Sequence, residues 1–200
     1  MEVIVLAGGR GTRLKEYFDG PKPLCPVNNN PFLHYVLQYW ASQGASKFII
    51  CGGPDWKLFK DHFTNKYMGV PIDYVSEEIR MGTGGAMLKG AELLKSPYPF
   101  MVINGDTLFK VRFDTVYAYN SRNCGVIMCL NQEIQNGGVY MIERNVLNDF
   151  QGVMNPFSLE KQFLVEAERN GNTVVAYLFD EEFLQINEPE DVEEAKVLLL

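Results

Sequence analysis

The sequence lacks any long apolar run and any cluster of basic residues. No apolar stretch approaches the roughly 20 residues that a membrane-spanning helix needs, so we expect no membrane partner. Acidic residues outnumber basic ones, 25 against 18, and the formal net charge is -7. Proteins that bind nucleic acid usually carry a basic patch or stripe. The composition therefore argues against nucleic acid as a ligand.

Cysteine is sparse, and the four cysteines form no C-x-x-C pair. The two histidines are not spaced from them as zinc ligands would be, so the sequence predicts no zinc site. Cys51 and Cys129 lie inside apolar runs, which indicates small buried side chains in a reducing compartment. The first residues do not resemble a signal peptide. We expect a cytoplasmic protein without disulfide bonds, and the sequence leaves open whether it forms a homodimer.

Short apolar runs alternate with segments of helical periodicity along the chain. The predicted strands cover residues 2–6, 47–51, 72–75, 100–103, 125–130, 139–142 and 173–178. The predicted helices run from Pro31 to a cap at Gly44 and over residues 54–65, 84–95, 159–170 and 188–199. This pattern predicts one α/β domain, residues 1–200, with a three-layer, Rossmann-like architecture. Its mixed, mainly parallel sheet carries helices on both faces, and ligands bind at the carboxyl ends of the strands.

Three glycines, Gly8, Gly9 and Gly11, directly follow the first predicted strand. Glycine lets backbone N–H groups approach an anion closely, so this loop is expected to bind phosphate. It completes neither a dinucleotide fingerprint nor a Walker loop. Arg13 and Lys22 follow closely and could neutralise a polyphosphate. The alternative is a solvated turn with incidental cations.

Residues 6–14 read LAGGRGTRL and residues 21–24 read PKPL, and together they resemble the signature of the sugar-1-phosphate nucleotidylyltransferase family. Members of this family have a GT-A-like fold and join a nucleoside triphosphate to a sugar 1-phosphate with release of pyrophosphate. The resemblance implies that Arg13 and Lys22 are catalytic. It also implies nucleotide binding by Leu6, Ala7, Gly8, Gly9, Arg10, Gly11 and Thr12.

A second glycine-containing segment, residues 77–86, reads EEIRMGTGGA and precedes a predicted helix. Its small residues could let a base or an anion lie against the backbone, although glycines also form tight helix starts. The segment resembles the family's base-recognition loop and is similar to that of the D-glycero-D-manno-heptose 1-phosphate guanylyltransferase branch. The resemblance implies GTP as the nucleotide and nucleotide binding by Gly82, Thr83, Gly84 and Gly85.

Asp106 lies just beyond the predicted strand at residues 100–103. Mg²⁺ prefers one or two carboxylates together with phosphate oxygens and water, so Asp106 is a candidate metal ligand. On the residues alone, an ordinary Asn-Gly-Asp turn is an equal alternative. The family resemblance implies that Asp106 is catalytic and holds Mg²⁺. It also implies sugar-phosphate binding by Asn104, Asn136, Gly138 and Tyr140.

Two segments depart from the family pattern. Where the pattern is Phe-x-Asp-x-Gly-x-Pro-Glu-Asp, residues 183–191 read FLQINEPED, so Gln185 replaces a metal-binding carboxylate. Gln185 can offer the metal an amide oxygen but no negative charge. The connection at residues 131–136 has almost no room for the Glu-Lys pair with which relatives hold the sugar phosphate.

The family resemblance implies a transferase that makes a nucleoside-diphosphate sugar for surface glycans from GTP and a heptose or hexose 1-phosphate. The attacking sugar phosphate is already an anion, so catalysis needs positioning and charge neutralisation rather than a side-chain base. The alternative is a non-catalytic homologue that binds a nucleotide or a sugar nucleotide, which both departures permit. A glycosyltransferase is disfavoured because residues 104–106 do not form an Asp-x-Asp motif.

Overall fold

The computed structural model describes residues 1–9, 11–120, 124–150 and 156–200 of the chain. The strands, in chain order, are β1 (Glu2–Leu6), β2 (Pro26–Val27), β3 (Asn30–Pro31), β4 (Lys47–Cys51), β5 (Lys66–Tyr67), β6 (Val70–Tyr74), β7 (Phe100–Asn104), β8 (Thr107–Phe109), β9 (Val126–Leu130), β10 (Asn136–Ile142), β11 (Val174–Leu178) and β12 (Phe183–Gln185). The α-helices are α1 (Phe32–Ser42), α2 (Trp56–Phe63), α3 (Gly82–Ala91), α4 (Phe113–Tyr119), α5 (Leu164–Arg169) and α6 (Pro189–Leu198). A π-helix, Leu159–Phe163, leads into α5.

The main sheet is mixed and has the strand order β11-β9-β10-β7-β1-β4-β6-β5. The central strand β1 pairs in parallel with β4 and β7, and β4 pairs in parallel with β6. By contrast, β10 is antiparallel to both of its neighbours, β7 and β9. The predicted mixed sheet is confirmed. Because β1, β4, β6 and β7 are parallel, their carboxyl ends meet at one edge of the sheet.

Both faces of β1 are buried, because successive side chains of a strand point to opposite faces. Val3 and Val5 pack into one hydrophobic cluster, and Ile4 and Leu6 pack into a second one. Residues of α1, α2, α4 and α6 contribute to the first cluster, and residues of α3 and α5 to the second. The sheet therefore lies between two helical layers, as predicted.

Some segments are more regular than the sequence predicts. Helix α4 and the small two-stranded sheet of β8 and β12 were not predicted, because each is short and the two strands lie far apart in sequence. Residues 19–30, which lie between the predicted strand 2–6 and the predicted helix from Pro31, contain a 3-10 turn at Lys22–Leu24 and strand β2, which pairs with β3. No helix in the described ranges is both long and apolar enough to cross a membrane.

Candidate active site

A cavity of about 230 Å³ lies at the carboxyl ends of β1, β4, β6 and β7. Its walls are formed by Leu6, Gly8, Gly9, Cys51, Gly53, Glu77, Arg80, Met81, Gly82, Thr83, Ala86, Asn104 and Asp106. The parallel strands thus bring three segments around one space. These are the glycine loop after β1, residues 77–86 at the start of α3, called the base loop after their predicted role, and the turn after β7. This is the place where an α/β sheet usually binds its ligand.

Two backbone hydrogen bonds hold the start of the glycine loop. The N–H of Ala7 donates to the carbonyl of Cys51 at 2.9 Å, and the N–H of Gly105 donates to the carbonyl of Leu6 at 2.9 Å. These contacts tie the end of β1 to the ends of its two neighbours. The start of the loop is therefore held in a defined position relative to Asp106.

The predicted nucleotide-binding residues of this loop lie in different surroundings. Gly8 and Gly9 reach the cavity wall, whereas Ala7 packs into the core. Thr12 lines a neighbouring cavity that Gly9 also borders. Arg10 lies outside the described residues. The glycines that directly follow the strand are thus the part of the loop nearest the cavity.

Lys22 joins the Asp106 turn to the segment that precedes α6. Its Nζ lies 2.5 Å from Asp106 Oδ2, and the two side chains are only 11% and 19% exposed. The same Nζ donates to Asn187 Oδ1 at 2.9 Å. A Cβ atom on Gly11 would lie 3.1 Å from the Cβ of Lys22, so the glycine loop packs directly against this lysine. Asn187, at a glycine position of the family pattern, was not singled out from the sequence.

Arg13 lies farther out. Its guanidinium pairs with Glu188 at 2.9 Å, and the two side chains are 63% and 53% exposed. Exposed ion pairs of this kind contribute little to stability, so an incoming phosphate could displace Glu188 at small cost. Glu188 is also the N-cap of α6 and forms a capping box with Asp191. The predicted catalytic arginine is therefore linked to the start of the last helix.

The glycines of the base loop are explained largely by packing against Phe157. A Cβ atom on Gly82, whose φ is +70°, would lie 2.4 Å from the Phe157 carbonyl oxygen, and one on Gly84 would lie 2.4 Å from the ring. Gly82 and Thr83 line the cavity, whereas Gly84 and Gly85 do not. A ligand in the cavity would therefore meet Gly82, Thr83 and Ala86 rather than Gly84 and Gly85.

Glu77 is the most unusual polar group of the cavity wall. It is only 3% exposed. Its Oε2 accepts a hydrogen bond from the N–H of Met81 at 3.4 Å, and Oε1 has no hydrogen-bond partner within the described ranges. Burial raises the pKa of Glu77, while the Met81 N–H, Lys89 and Arg80 oppose this shift. No sequence pattern assigns Glu77 a role, because only the fold shows that it is buried in the cavity wall.

The predicted sugar-binding residues form a connected group beside Asp106. A Cβ atom on Gly138, whose φ is +63°, would lie 2.4 Å from Asn104 Nδ2, so these two residues are in direct contact. The N–H of Gly138 donates to Asn136 Oδ1 at 2.9 Å. Asn136 Nδ2 donates to the hydroxyl of Tyr140, which donates to Glu160 Oε1 at 3.0 Å.

Glu160 connects this group to the base loop. Its Oε2 accepts hydrogen bonds from the hydroxyls of Ser158 at 3.0 Å and Thr83 at 3.3 Å. Burial raises the pKa of Tyr140, and the neighbouring Glu160 carboxylate adds to the shift, so the hydroxyl remains protonated as a donor. Glu160 cannot be identified from the sequence, because no local pattern shows that the π-helix lies against β10.

Asp106 is the one predicted metal-binding carboxylate. Its Oδ1 accepts a hydrogen bond from the hydroxyl of Thr107 at 3.1 Å. Gln185 lies opposite Thr107 in the β8–β12 pair, and the N–H of Ile186 donates to the backbone carbonyl of Asp106 at 3.1 Å. Among the residues that the structure describes, no three His, Cys, Asp or Glu side chains group as metal ligands. One carboxylate fits a divalent cation whose other ligands are phosphate oxygens and water.

Comparison with known proteins identifies close similarity to one family. The chain matches the family described as "Nucleotidyl transferase" over residues 2–140. It is 30% identical to the D-glycero-alpha-D-manno-heptose 1-phosphate guanylyltransferase of Campylobacter jejuni, with 96% of each chain covered. The protein of the same name from Aneurinibacillus thermoaerophilus is 31% identical, with 98% of this chain and 97% of the relative covered.

A solved structure shows the same fold. HddC from Yersinia pseudotuberculosis, crystallised with GMP-PN, superposes with a TM-score of 0.85 at 23% sequence identity. The match covers 100% of this chain and 99% of HddC. The likeness supports the arrangement of the sheet and its helices over the whole length of the chain.

Proposed function

This chain belongs to the nucleotidyl transferase family, and we propose that it transfers GMP from GTP to a heptose 1-phosphate. The products are a GDP-heptose and pyrophosphate. In this reaction a phosphate oxygen of the sugar phosphate forms a bond to the α-phosphorus of GTP, and the bond between the α- and β-phosphates breaks. We also propose that residues 1–200 form one catalytic domain, which works in the cytoplasm on precursors of surface glycans.

The buried carboxylate of Glu77 is the observation that supports guanine. Guanine presents two adjacent donors, N1–H and the N2 amino group, and a carboxylate with two acceptor oxygens can accept from both. Adenine, cytosine and uracil each place an acceptor beside their donor on the corresponding edge. An acceptor atom of these bases would therefore face a carboxylate oxygen, which is also an acceptor, and no hydrogen bond could form between the two. A buried group without its partner costs binding energy, which favours GTP over the other nucleotides.

The heptose is supported by two guanylyltransferases of that name, both similar to this chain over nearly its full length. The group formed by Asn104, Asn136, Tyr140 and Glu160 offers amide and carboxylate oxygens to hydroxyl groups. We propose that this group replaces the Glu-Lys pair for which the 131–136 connection has no room. The sugar phosphate would then lie between the group and Asp106.

We propose that Lys22 and Arg13 offset the repulsion between the two anionic substrates. Lys22 is already held beside Asp106, whereas Arg13 must leave Glu188 to reach a phosphate. Members of this family generally use a divalent metal ion. We propose Mg²⁺ at Asp106, with the amide oxygen of Gln185 as a further ligand, where it would neutralise charge on the nucleotide phosphates. The chain itself positions the reacting groups and contributes its two cations.

A second candidate function is nucleotide binding without turnover. Gln185 favours this second candidate. Because the side chain of residue 185 is an uncharged amide, the segment beside Asp106 contributes no second negative charge to hold a metal ion. The two functions differ in whether pyrophosphate is released.

The test is pyrophosphate release by the purified protein with Mg²⁺. GTP, CTP, UTP, dTTP and ATP are each combined with D-glycero-α-D-manno-heptose 1-phosphate, mannose 1-phosphate and glucose 1-phosphate. We expect the fastest release with GTP and the heptose phosphate. Asp106→Ala should lower this rate about 10²–10³-fold, the effect of removing one electrostatic stabiliser from an active site.

The matched control is Asp114→Ala, because Asp114 is exposed and pairs with the nearby Arg112 on the outside of the molecule. This variant should keep the full rate. Binding of GTP without pyrophosphate release across the panel would favour the second candidate. Absence of GTP binding would contradict the proposed transfer, and absence of binding by every nucleotide of the panel would contradict the second candidate as well.

A further inference from the structure

Arg80, which has no role in the proposed reaction, lies between the rest of the base loop and the glycine loop. Its Nη1 donates to the backbone carbonyl of Gly8, and its Nη2 pairs with Asp55 Oδ2 at 3.0 Å. A Cβ atom on Gly53 would lie only 3.2 Å from Nη1, so the guanidinium fits closely among the ends of β1, β4 and β6. The side chain is 31% exposed and borders the central cavity.

The contact with Gly8 also determines the direction of the next N–H group. The peptide between Gly8 and Gly9 is planar and trans, so its carbonyl and its N–H point in opposite directions. With the carbonyl directed at Arg80, the N–H of Gly9 points away from the guanidinium. A positive charge at the carbonyl also polarises the peptide and strengthens its N–H as a donor. Arg80 therefore prepares one of the N–H groups expected to bind phosphate.

The same loop carries the group that we assign to guanine. Glu77 lies three residues before Arg80, and the N–H of Met81, directly after Arg80, donates to the Glu77 carboxylate. A base held by Glu77 would therefore stabilise the segment that carries Arg80. Arg80 in turn contacts the peptide whose N–H group is expected to bind phosphate.

We propose that Arg80 is a positioning residue that couples recognition of the base to binding of the triphosphate. This inference rests on the proposed function, because it requires a guanine nucleotide in the central cavity. Asp55 orients the guanidinium, the guanidinium orients the Gly8–Gly9 peptide, and the peptide N–H binds a phosphate oxygen. Arginine suits this role because its planar group donates to two partners in fixed directions, which lysine does not do.

The test compares the affinities for GTP and for guanosine, which has the base but no phosphate. Calorimetry with Mg²⁺ measures GTP binding, and ligand-observed NMR measures guanosine binding. The variants are Arg80→Ala, Arg80→Lys, Asp55→Asn and the double variant Asp55→Asn with Arg80→Ala. Arg112→Ala is the matched control, because it removes the same charge from an exposed arginine that pairs with Asp114. Thermal unfolding checks that each variant is folded.

We expect Arg80→Ala to weaken GTP binding about tenfold or more while guanosine binding changes less than about twofold, because only the phosphate contacts lose their orientation. Arg80→Lys should lie between the wild type and Arg80→Ala. Asp55→Asn should weaken GTP binding, and this effect should disappear in the double variant, since Asp55 acts through Arg80. Arg112→Ala should bind both ligands normally.

Equal GTP affinity in the wild type and Arg80→Ala would overturn the inference and leave the proposed function intact. An equal loss of GTP and guanosine binding would also overturn it, because Arg80 would then only shape the base loop. A wild-type protein that binds neither ligand would contradict the proposed function itself.

Discussion

At the scale of single residues, burial decides what a side chain can do. Glu77 and Tyr140 are both buried beside the site, and burial raises the pKa of each group. For Tyr140 the shift preserves a hydroxyl that donates to Glu160. For Glu77 the shift reflects burial of the carboxylate in the cavity wall, where a donor of the proposed base would compete with little water.

We predict that Glu77→Gln weakens GTP binding by roughly 10–100-fold, because the amide N–H₂ would face a donor of guanine and leave both groups unpaired. Calorimetry with GTP measures the change. The neighbouring Glu78 is exposed, so Glu78→Gln removes the same charge without entering the cavity and should bind GTP normally. Similar affinities for Glu77→Gln and Glu78→Gln would exclude Glu77 as the guanine-binding group.

Glu77 should also make stability depend on pH in a predictable direction. Its folded-state pKa is raised above the ordinary value of 4.5, so the folded protein binds this proton more tightly than the unfolded chain does. The stabilisation from this group is present below pH 4.5 and is lost as the pH rises through the raised pKa. We therefore expect Glu77→Gln to raise the melting temperature relative to the wild type at pH 8 but not at pH 4. A difference that grows on acidification would contradict this sign.

Gln185 gives a prediction about metal affinity. Gln185→Asp adds a carboxylate next to Asp106, and we expect it to bind Mn²⁺ at least about tenfold more tightly without nucleotide, because Mn²⁺ prefers charged oxygen ligands. Electron paramagnetic resonance of free Mn²⁺ measures this without any turnover. Gln38→Asp on the exposed surface of α1 is the control. Equal Mn²⁺ affinity in the two variants would show that residue 185 does not contact the metal.

At the scale of elements, the start of α6 supports the site. Glu188 and Asp191 form a capping box there, and Asp191 Oδ2 also accepts from the backbone N–H of Asn187 at 2.6 Å. Asn187 in turn binds Lys22. Capping therefore stabilises the helix and, at the same time, holds the segment that positions a predicted catalytic lysine.

We predict that Asp191→Ala lowers the free energy of unfolding by about 1 kcal/mol, the usual effect of losing a helix cap. Urea denaturation measures it. Glu190→Ala is the matched control, since Glu190 lies in the same turn, is exposed and takes no part in the capping box. An equal loss in both variants would assign the effect to charge near the helix terminus rather than to the cap.

At the scale of the whole molecule, the cysteines lie in the hydrophobic clusters on the two faces of the sheet. All four cysteines are free and buried. Burial raises the pKa of Cys25 to about 11 and also raises the pKa values of Cys51 and Cys129. Because the thiolate is the reactive form, these side chains should be inert while the protein is folded.

We therefore expect a thiol reagent at pH 8 to modify the native protein only at the rate of unfolding, and to modify all four cysteines quickly in urea. Absorbance of the released thiol measures both rates. Ser42→Cys supplies an exposed thiol on α1 that should react at once. Rapid modification of the native wild type would show that these side chains are accessible to solvent in the folded protein.

A structural feature could be predicted from the sequence when the residues that indicate it lie close together along the chain. Strand β1 and helix α1 were predicted because each has a complete periodic pattern within a few residues. The partners of Lys22 and Arg80 were not predicted, because Asn187 lies 165 residues from Lys22 and Gly8 lies 72 residues from Arg80. Strands β8 and β12 are too short to show a pattern of their own.

The sequence by itself determined the type of fold, the family signature at the glycine loop and the position of Asp106, because periodicity and motif spacing are properties of neighbouring residues. Only the tertiary structure decided that Glu77 is buried on the cavity wall, that Arg80 reaches the glycine loop and that Glu160 joins the sugar-contacting stretch to the base loop. These features depend on contacts between distant segments. Such contacts exist only once the sheet has brought the ends of its strands together.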